Sequence, residues 1–274
     1  RGATAMIGVL TADVGDPFWT GVLRGVEAGI GDNEYFILSA STRDRDRREA
    51  EIVAAMVDRR VAALIVVPTA EDQSHLQAVI DSGTPVVCVD RQPTGVDVDC
   101  VICDDRGGAE RATTLLLAGG HRRIAFFGTP AIYTTDRRLA GFRQAHERAG
   151  VAVDDSLVWS RLGTPDERAA AVAAARATTD RPTAAFSSNV STSLALLAAV
   201  ADGSWRPAFA AFSDFDAAAV TTPAVTVVDN DPVALGRRAA ELALDRLGGY
   251  IGPARIEQID TPLIIRESHL VEES

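Results

Sequence analysis

Cys100-Val101-Ile102-Cys103 is the first candidate for chemistry in this chain, because two thiols three residues apart can share a zinc ion or form a redox pair. The pattern stands alone. No second CxxC accompanies it, and the four histidines, His75, His121, His146 and His269, are scattered. It also falls on a strand-like run, where residues three apart point to opposite faces. Core or surface thiols are therefore the expected reading, and His121 reads as a structural hydrogen-bonding residue. The odd total of three cysteines suits a reducing compartment better than a disulfide framework. All 27 basic side chains are arginine. That excludes Schiff-base, pyridoxal-phosphate, P-loop and kinase-type lysine chemistry. With no nucleophile elbow and no metal-ligand spacing either, no catalytic set is found. The expectation is a protein that is not an enzyme and uses no cofactor and no metal.

The bulk numbers narrow the classes further. The 274 residues are 47% hydrophobic and 24% charged, an ordinary globular composition for one large or two medium domains. The net charge of −11 argues against a nucleic-acid surface on this piece of chain, since phosphate binding needs a basic stripe. The run Arg43–Arg48 alternates arginine with aspartate and reads as a solvated helix start. Apolar runs such as Ala62 to Val67 are strand-sized, so no transmembrane helix is expected. The start, Arg1-Gly2-Ala3-Thr4-Ala5-Met6, is no signal peptide and lacks an initiator methionine, so a fragment of a longer, cytoplasmic protein is expected.

Any binding groups must be positioned by the elements between them. Strand-like runs fall at Ala5–Leu10, Tyr35–Leu38, Ala62–Val67, Val86–Val89, Val98–Ile102, Ile124–Phe127, Leu157–Trp159, Ala184–Ser187, Phe209–Phe212, Val225–Val228 and Ile259–Ile265. Amphipathic segments alternate with them. In Pro17–Ile30 the apolar face is Phe18, Val22, Val26 and Ile30, with Asp16 as N-cap and Pro17 in the first helical position. Asp231-Pro232 repeats that signature, opening a helix through Leu247 that ends at Gly248-Gly249, and Thr164-Pro165 opens an alanine-rich helix. This alternation predicts α/β structure with parallel sheets covered on both faces. Eleven strands are many for one sheet, so two doubly wound parallel-sheet lobes are expected. Ligands in such sheets sit beyond the carboxyl ends of the strands.

The loops at those ends carry motifs in a telling order. Ile7-Gly8-Val9-Leu10, Asp16-Pro17-Phe18-Trp19 and Gly25-Val26-Glu27 come first, followed by Val86-Val87-Cys88-Val89-Asp90-Arg91. Gly120-His121-Arg122-Arg123-Ile124-Ala125-Phe126-Phe127-Gly128 is the most specific stretch. Arg138-Leu139-Ala140-Gly141-Phe142, Phe186-Ser187-Ser188-Asn189, Pro223 to Val228, Gly236-Arg237-Arg238-Ala239-Ala240 and Leu263-Ile264-Ile265-Arg266-Glu267-Ser268 complete the series. Together they resemble the effector-binding domain of LacI/GalR-family transcriptional regulators over nearly the whole chain. The resemblance implies a periplasmic-binding-protein-like fold: two α/β lobes joined by three crossovers with a central cleft. Mapped here, the N-terminal lobe is 1–120 and 229–250, and the C-terminal lobe is 121–228 and 251–274. It further implies a homodimer that senses a small, carbohydrate-like effector and controls operator DNA through a helix-turn-helix headpiece that this piece does not include. The alternative of the same fold is a periplasmic-type solute-binding protein serving a transporter.

The resemblance also nominates contacts. A polyhydroxylated ligand needs aromatic faces and planar polar partners. Phe18 and Trp19 follow the first strand, with helix packing as the competing role, more so for Phe18 than for Trp19. Asp90 ends its strand at a cleft position, or else pairs with Arg91. Arg138 stands where the family bridges ligand hydroxyls or carboxylates. Asn189 ends another strand and could contact ligand, cap the next helix, or do both. Asp229 follows the crossover strand and could instead brace the hinge. Where the family usually shows GFDD, this chain reads Ala211-Phe212-Ser213-Asp214-Phe215. Ser213 is a weaker, uncharged partner, and Asp214 compensates only if its loop is shifted. The residue after Asn189 is Val190, where the family often has aspartate, so effector identity does not carry over from any sugar-binding member.

Overall fold

A computed structural model describes residues 6–43, 45–130 and 132–270. Ala5, at the start of the expected first strand, and Asp44, within the Arg43–Arg48 run, lie outside them. In chain order the elements are β1 (Met6–Thr11), α1 (Pro17–Ile30), β2 (Phe36–Ser41), α2 (Asp46–Asp58), β3 (Ala63–Val66), α3 (Gln77–Asp81), β4 (Val86–Val89) and β5 (Asp99–Cys103). Then come α4 (Asp105–Ala118), β6 (Ile124–Phe127), α5 (Ile132–Arg148), β7 (Val158–Trp159), α6 (Pro165–Ala177), β8 (Ala184–Ser187), α7 (Val190–Val200), β9 (Ala208–Phe212) and β10 (Thr226–Val228). The last are α8 (Pro232–Leu247), β11 (Ile256–Ile259) and β12 (Leu263–Ile264).

These elements form two compact units, one of Arg1–Cys103 with Asp231–Ile259, the other of Asp104–Asn230 with Asp260–Ser274. The chain thus passes between units three times. The first unit holds a six-stranded sheet in the order β11-β5-β4-β3-β1-β2, and the second a sheet in the order β12-β10-β9-β8-β6-β7. All pairings are parallel except β12 with β10. The fold class is the expected one, two α/β units with doubly wound sheets.

Period-two side-chain alternation explains why these runs became central strands. In the first unit Ile7, Val9, Ala63, Ile65, Val87, Val89, Val101 and Cys103 lie in one core cluster, packed with Val22, Val26 and Leu235. Leu10, Leu64, Val66, Val86, Cys88, Cys100 and Ile102 lie in the other, packed with Val53, Met56 and Leu76. Strands buried on both faces read as unbroken apolar runs. Cys100 and Cys103 are therefore on opposite faces, and all three cysteines are buried free thiols. Burial pushes the Cys100 thiol up to about 12 and Cys88 well above its ordinary range, which makes them inert. The second sheet alternates likewise, with Ala125, Phe127, Ala185 and Ala211 on one face and Ile124, Phe126, Phe186 and Phe212 on the other.

The helix starts follow from their caps. Asp16, Thr164 and Asp231 each accept a backbone N–H of the first turn, and Thr164 with Glu167 completes a capping box. In α8, Gly236 lies so close to α1 that a methyl group there would overlap the Val22 carbonyl, and Gly25 on α1 meets Val233 and Arg237 in the same way.

Two boundaries differ from the sequence reading. The expected strand Ile259–Ile265 is two short strands in different sheets. Pro262 has no N–H for a ladder, and the buried Thr261 donates its hydroxyl to the Asp104 carbonyl instead. The segments 104–120 and 229–230, placed by the sequence in the first lobe, belong to the second unit, and 251–259, placed in the second, belongs to the first. The cause is packing. Gly108 of α4 abuts Phe212, Val228 and Thr261, and the Gly141 position of α5 presses on the Arg106 carbonyl.

Candidate functional site

Asp90, Asn189, Ser213, Asp214 and Asp229 follow the carboxyl ends of strands, whereas Phe18 and Trp19 lie in the first turn of α1 and Arg138 lies within α5. In the first unit, Asp90 follows β4 with a left-handed backbone, φ 70°. Its N–H donates to the Val101 carbonyl, which pins this conformation, and its carboxylate lies 3.6 Å from Arg91 Nε. Arg91 in turn donates to the Pro68 carbonyl. Asp90 is 4% exposed, and of the two roles left open for it the structure shows the pairing with Arg91, held at the strand exit.

Phe18 and Trp19 meet edge to face, with ring centroids 4.8 Å apart. Their assignment reverses. Trp19 is a member of the core cluster and only 5% exposed, whereas Phe18 is half-buried at its margin. The helix turn that carries them, started by the Asp16 cap and Pro17, points the larger ring inward.

In the second unit Arg138 is the centre of the polar cluster. It is 5% exposed. Its Nε donates to Asp105 Oδ1 at 2.7 Å, its Nη1 to the Ser188 carbonyl, and its guanidinium carbon sits 3.8 Å from the centre of the Phe212 ring. Asp105, the first residue of α4, is fully buried, and its Oδ2 accepts no hydrogen bond from the described residues. Burial pushes its carboxyl above the ordinary range, while the charge and hydrogen bond of Arg138 pull it back. Nothing in the sequence announced Asp105, which lies 33 positions from its partner.

Ser188 and Phe212 each precede a nominated residue. Asn189 caps α7, its Oδ1 accepting the Thr192 N–H at 3.0 Å, while its Nδ2 donates to Thr129 Oγ1. Ser213 follows β9 with φ 75° and donates its N–H to the Val228 carbonyl at 2.9 Å. It repeats in the second unit the backbone device of Asp90 in the first. Non-glycine residues held left-handed cost of order 1 kcal/mol and cluster at functional sites. Ser213→Gly is accordingly expected to raise unfolding stability by about 0.5–1 kcal/mol. Urea unfolding checks this, and a loss of stability would show that the serine hydroxyl, not the backbone, matters to the fold.

Asp214 does not take over from Ser213. It is exposed and forms a two-toothed ion pair with Arg266, at 2.7 and 3.0 Å, so its side chain is turned to a brace within the second unit. Asp229 is half-buried, and its N–H donates to the Pro262 carbonyl, which ties β10 to the segment before β12. His121 is buried and bonds Thr183 Oγ1 through Nδ1, the structural role expected of it, with its pKa lowered by desolvation and Arg122. Among the described residues no group of three or more His, Cys, Asp or Glu is placed to hold a metal ion. An open groove of about 870 Å³ between α6 and α7 is floored by alanines and lies away from the Arg138 cluster.

Residues 113–269, more than half of the chain, match the model of the periplasmic binding protein-like domain. The regulator CelR of Thermobifida fusca is 30% identical over 265 residues, covering 92% of this chain and 76% of that protein. The chain belongs to the LacI/GalR family. It is the effector-binding domain of that family's regulators. GalR of Escherichia coli is 29% identical over 165 residues, 60% of this chain and 48% of that protein. A solved CelR–cellobiose complex superposes with a TM-score of 0.84 at 26% identity, covering 97% of this chain and 84% of the other. A ribose operon repressor structure from Burkholderia thailandensis gives 0.85 at 26%, covering 95% and 98%. These relatives are LacI/GalR-type transcriptional regulators, not enzymes and not transporter components. No helix among the described residues of this LacI/GalR-family chain is long and apolar enough to cross a membrane.

Proposed function

We propose that this LacI/GalR-family domain binds a small carbohydrate-like effector, with Arg138, Asn189, Ser213 and Asp229 of the second unit among its contacts. Arg138 carries the reading. A buried guanidinium clamped by Asp105, Ser188 and Phe212 is pre-organised, and pre-organised donors lose little entropy on binding a hydroxyl. Differential affinity of the effector for two states of the protein is what allosteric control of DNA binding requires. The protein acts in the cytoplasm as a homodimer. Operator DNA is contacted by a headpiece outside this acidic chain, whose net charge of −11 is unsuited to phosphates. The cellobiose complex of a relative and the ribose operon repressor favour a sugar as effector class.

The test is a thermal-shift screen of sugars, nucleosides and polyols on the wild type, Arg138→Gln and Asn189→Ser. Serine keeps the α7 cap that alanine would lose at about 1 kcal/mol, so the apo fold persists. A compound that stabilises the wild type by several degrees should lose most of that shift in both variants. An undiminished shift in both would remove these residues from the site.

A further inference from the structure

The charge state of the Arg138 cluster says more about the effector than its shape does. Asp105 is fully buried and shares a 2.7 Å ion pair with Arg138. The second guanidinium nitrogen is taken by the Ser188 carbonyl, and one face is covered by Phe212. Among the described residues no hydrogen bond is formed by Nη2, so its two N–H groups and the second N–H of Nη1 are left to a ligand. That edge offers hydrogen-bond donors with direction but little net positive charge, because the carboxylate beside it cancels the cation at ligand distance. The neighbouring Arg137 lies over the Tyr133 ring at 5.4 Å, and its charge also reaches Asp105, on which the ion pair with Arg138 acts more strongly.

Resting on the effector-site reading above, we propose that Asp105 is a specificity-determining residue: by neutralising Arg138 it makes the site select an uncharged polyol and reject the carboxylate or phosphate form of the same sugar. An anionic ligand would have to shed its water at the site and would find a balanced pair in place of a free cation. A neutral hydroxyl keeps a fixed donor at no such cost. Asp105 does not touch the ligand in this scheme. It acts through the charge and aim of Arg138.

The experiment uses matched probes on the whole chain. Glucose is compared with glucuronate, galactose with galacturonate, ribose with ribose 5-phosphate, and cellobiose is added alone. Calorimetric titration of the wild type should show any bound neutral sugar at least about tenfold tighter than its anionic partner. In Asp105→Asn, which keeps the shape and removes the charge, that preference should fall about tenfold or invert. Sulfate, the simplest anion probe, should then stabilise Asp105→Asn against heat but not the wild type, and Arg138→Gln on top of it should remove the gain. Tighter binding of the anionic partner by the wild type overturns the proposal and leaves the effector site standing. An unchanged preference in a folded Asp105→Asn does the same. If Asp105→Asn does not fold, the wild-type comparison decides by itself. A wild type that binds neither member of any pair, nor cellobiose, overturns the proposal together with the carbohydrate reading.

Discussion

Gly236→Ala should lower the unfolding free energy by about 2–3 kcal/mol. An added methyl at this position of α8 would overlap the Val22 carbonyl of α1, with Val26 N close behind. Backbone atoms have no rotamer with which to yield, so the helices must move apart, and overpacking of a tight contact costs about 1–3 kcal/mol. Alanine's better helix propensity returns less than about 1 kcal/mol of this. The contact is reciprocal, since Gly25 of α1 meets Val233 and Arg237 of α8, so Gly25→Ala should behave alike and the two changes together should be less than additive. Both helices bury apolar faces on the same sheet cluster, through Val22, Val26, Leu235 and Ala239, and the displacement would spread into that core. Thermal unfolding followed by circular dichroism reads the effect, a fall of about 5–10 °C at 2–4 °C per kcal/mol. A midpoint within 1–2 °C of the wild type would show that α1 and α8 do not touch at these glycines.

These glycines bear on how much the sequence can tell. Gly25, Gly141 and Gly236 stand in motifs that mark the family, yet each is a place where helix backbones approach, and only Gly141, where α5 meets α4 beside Asp105, adjoins the Arg138 cluster. The elements themselves were legible, because central strands of a parallel sheet are continuous apolar runs and the helices between them carry proline and cap signals. The unit boundaries were less so. After β5 the chain runs through Asp104 into α4 without a linker, and only packing against Phe212 and Val228 assigns that helix to the second unit. At the site, residue type nominated Asp90, Arg138 and Asn189, but the features that shape it are not local. The left-handed backbones of Asp90 and Ser213 depend on hydrogen bonds to neighbouring strands, and nothing in an aspartate or a serine announces them. The Asp105 partner of Arg138 is set by the packing of α4 on α5. Asp214 looked like a ligand group from its place in the motif, and it became a brace because Arg266 arrives from 52 positions later.

Asp99→Asn is the second large change, and it carries a pH signature. Asp99 opens β5 with its side chain wholly buried, and its carboxylate accepts five hydrogen bonds, three on Oδ1, the longest from Arg255 Nε at 3.5 Å, and two on Oδ2. Arg246 donates Nη2 to Oδ1 at 2.8 Å and Nε to Oδ2 at 2.9 Å, while Arg255 donates its backbone N–H to Oδ1 at 2.8 Å and Nη2 to Oδ2 at 2.9 Å. The Tyr250 ring lies within 4.7 Å of the Arg246 guanidinium and 4.2 Å of that of Arg255. One carboxylate thus fastens the end of α8 and the entry to β11, which pairs with β5. Asparagine leaves Arg246 without its countercharge and Arg255 with the half-exposed Asp245 alone, and offers an NH₂ where a donor already points, a defect of the kind that costs about 3–5 kcal/mol in a closed interior. Both arginines are about one-fifth open to water, so screening brings the expected loss at pH 7 to about 2–3 kcal/mol. Burial alone would raise the Asp99 pKa, but the bonds from Arg246 and Arg255 outweigh it and hold it at about 2, below the ordinary 3.8. A carboxyl depressed on folding contributes stability that is complete above about pH 4 and fades as the pH falls towards about 2. The gap between wild type and Asp99→Asn in urea unfolding should therefore be constant from pH 7 to 5 and narrow by about 1–2 kcal/mol by pH 2. Subtracting the variant cancels the titration of the other carboxyls, most of which are exposed. A gap that stays constant to pH 2 would mean that Asp99 contributes shape and hydrogen bonds alone, with no use of its charge.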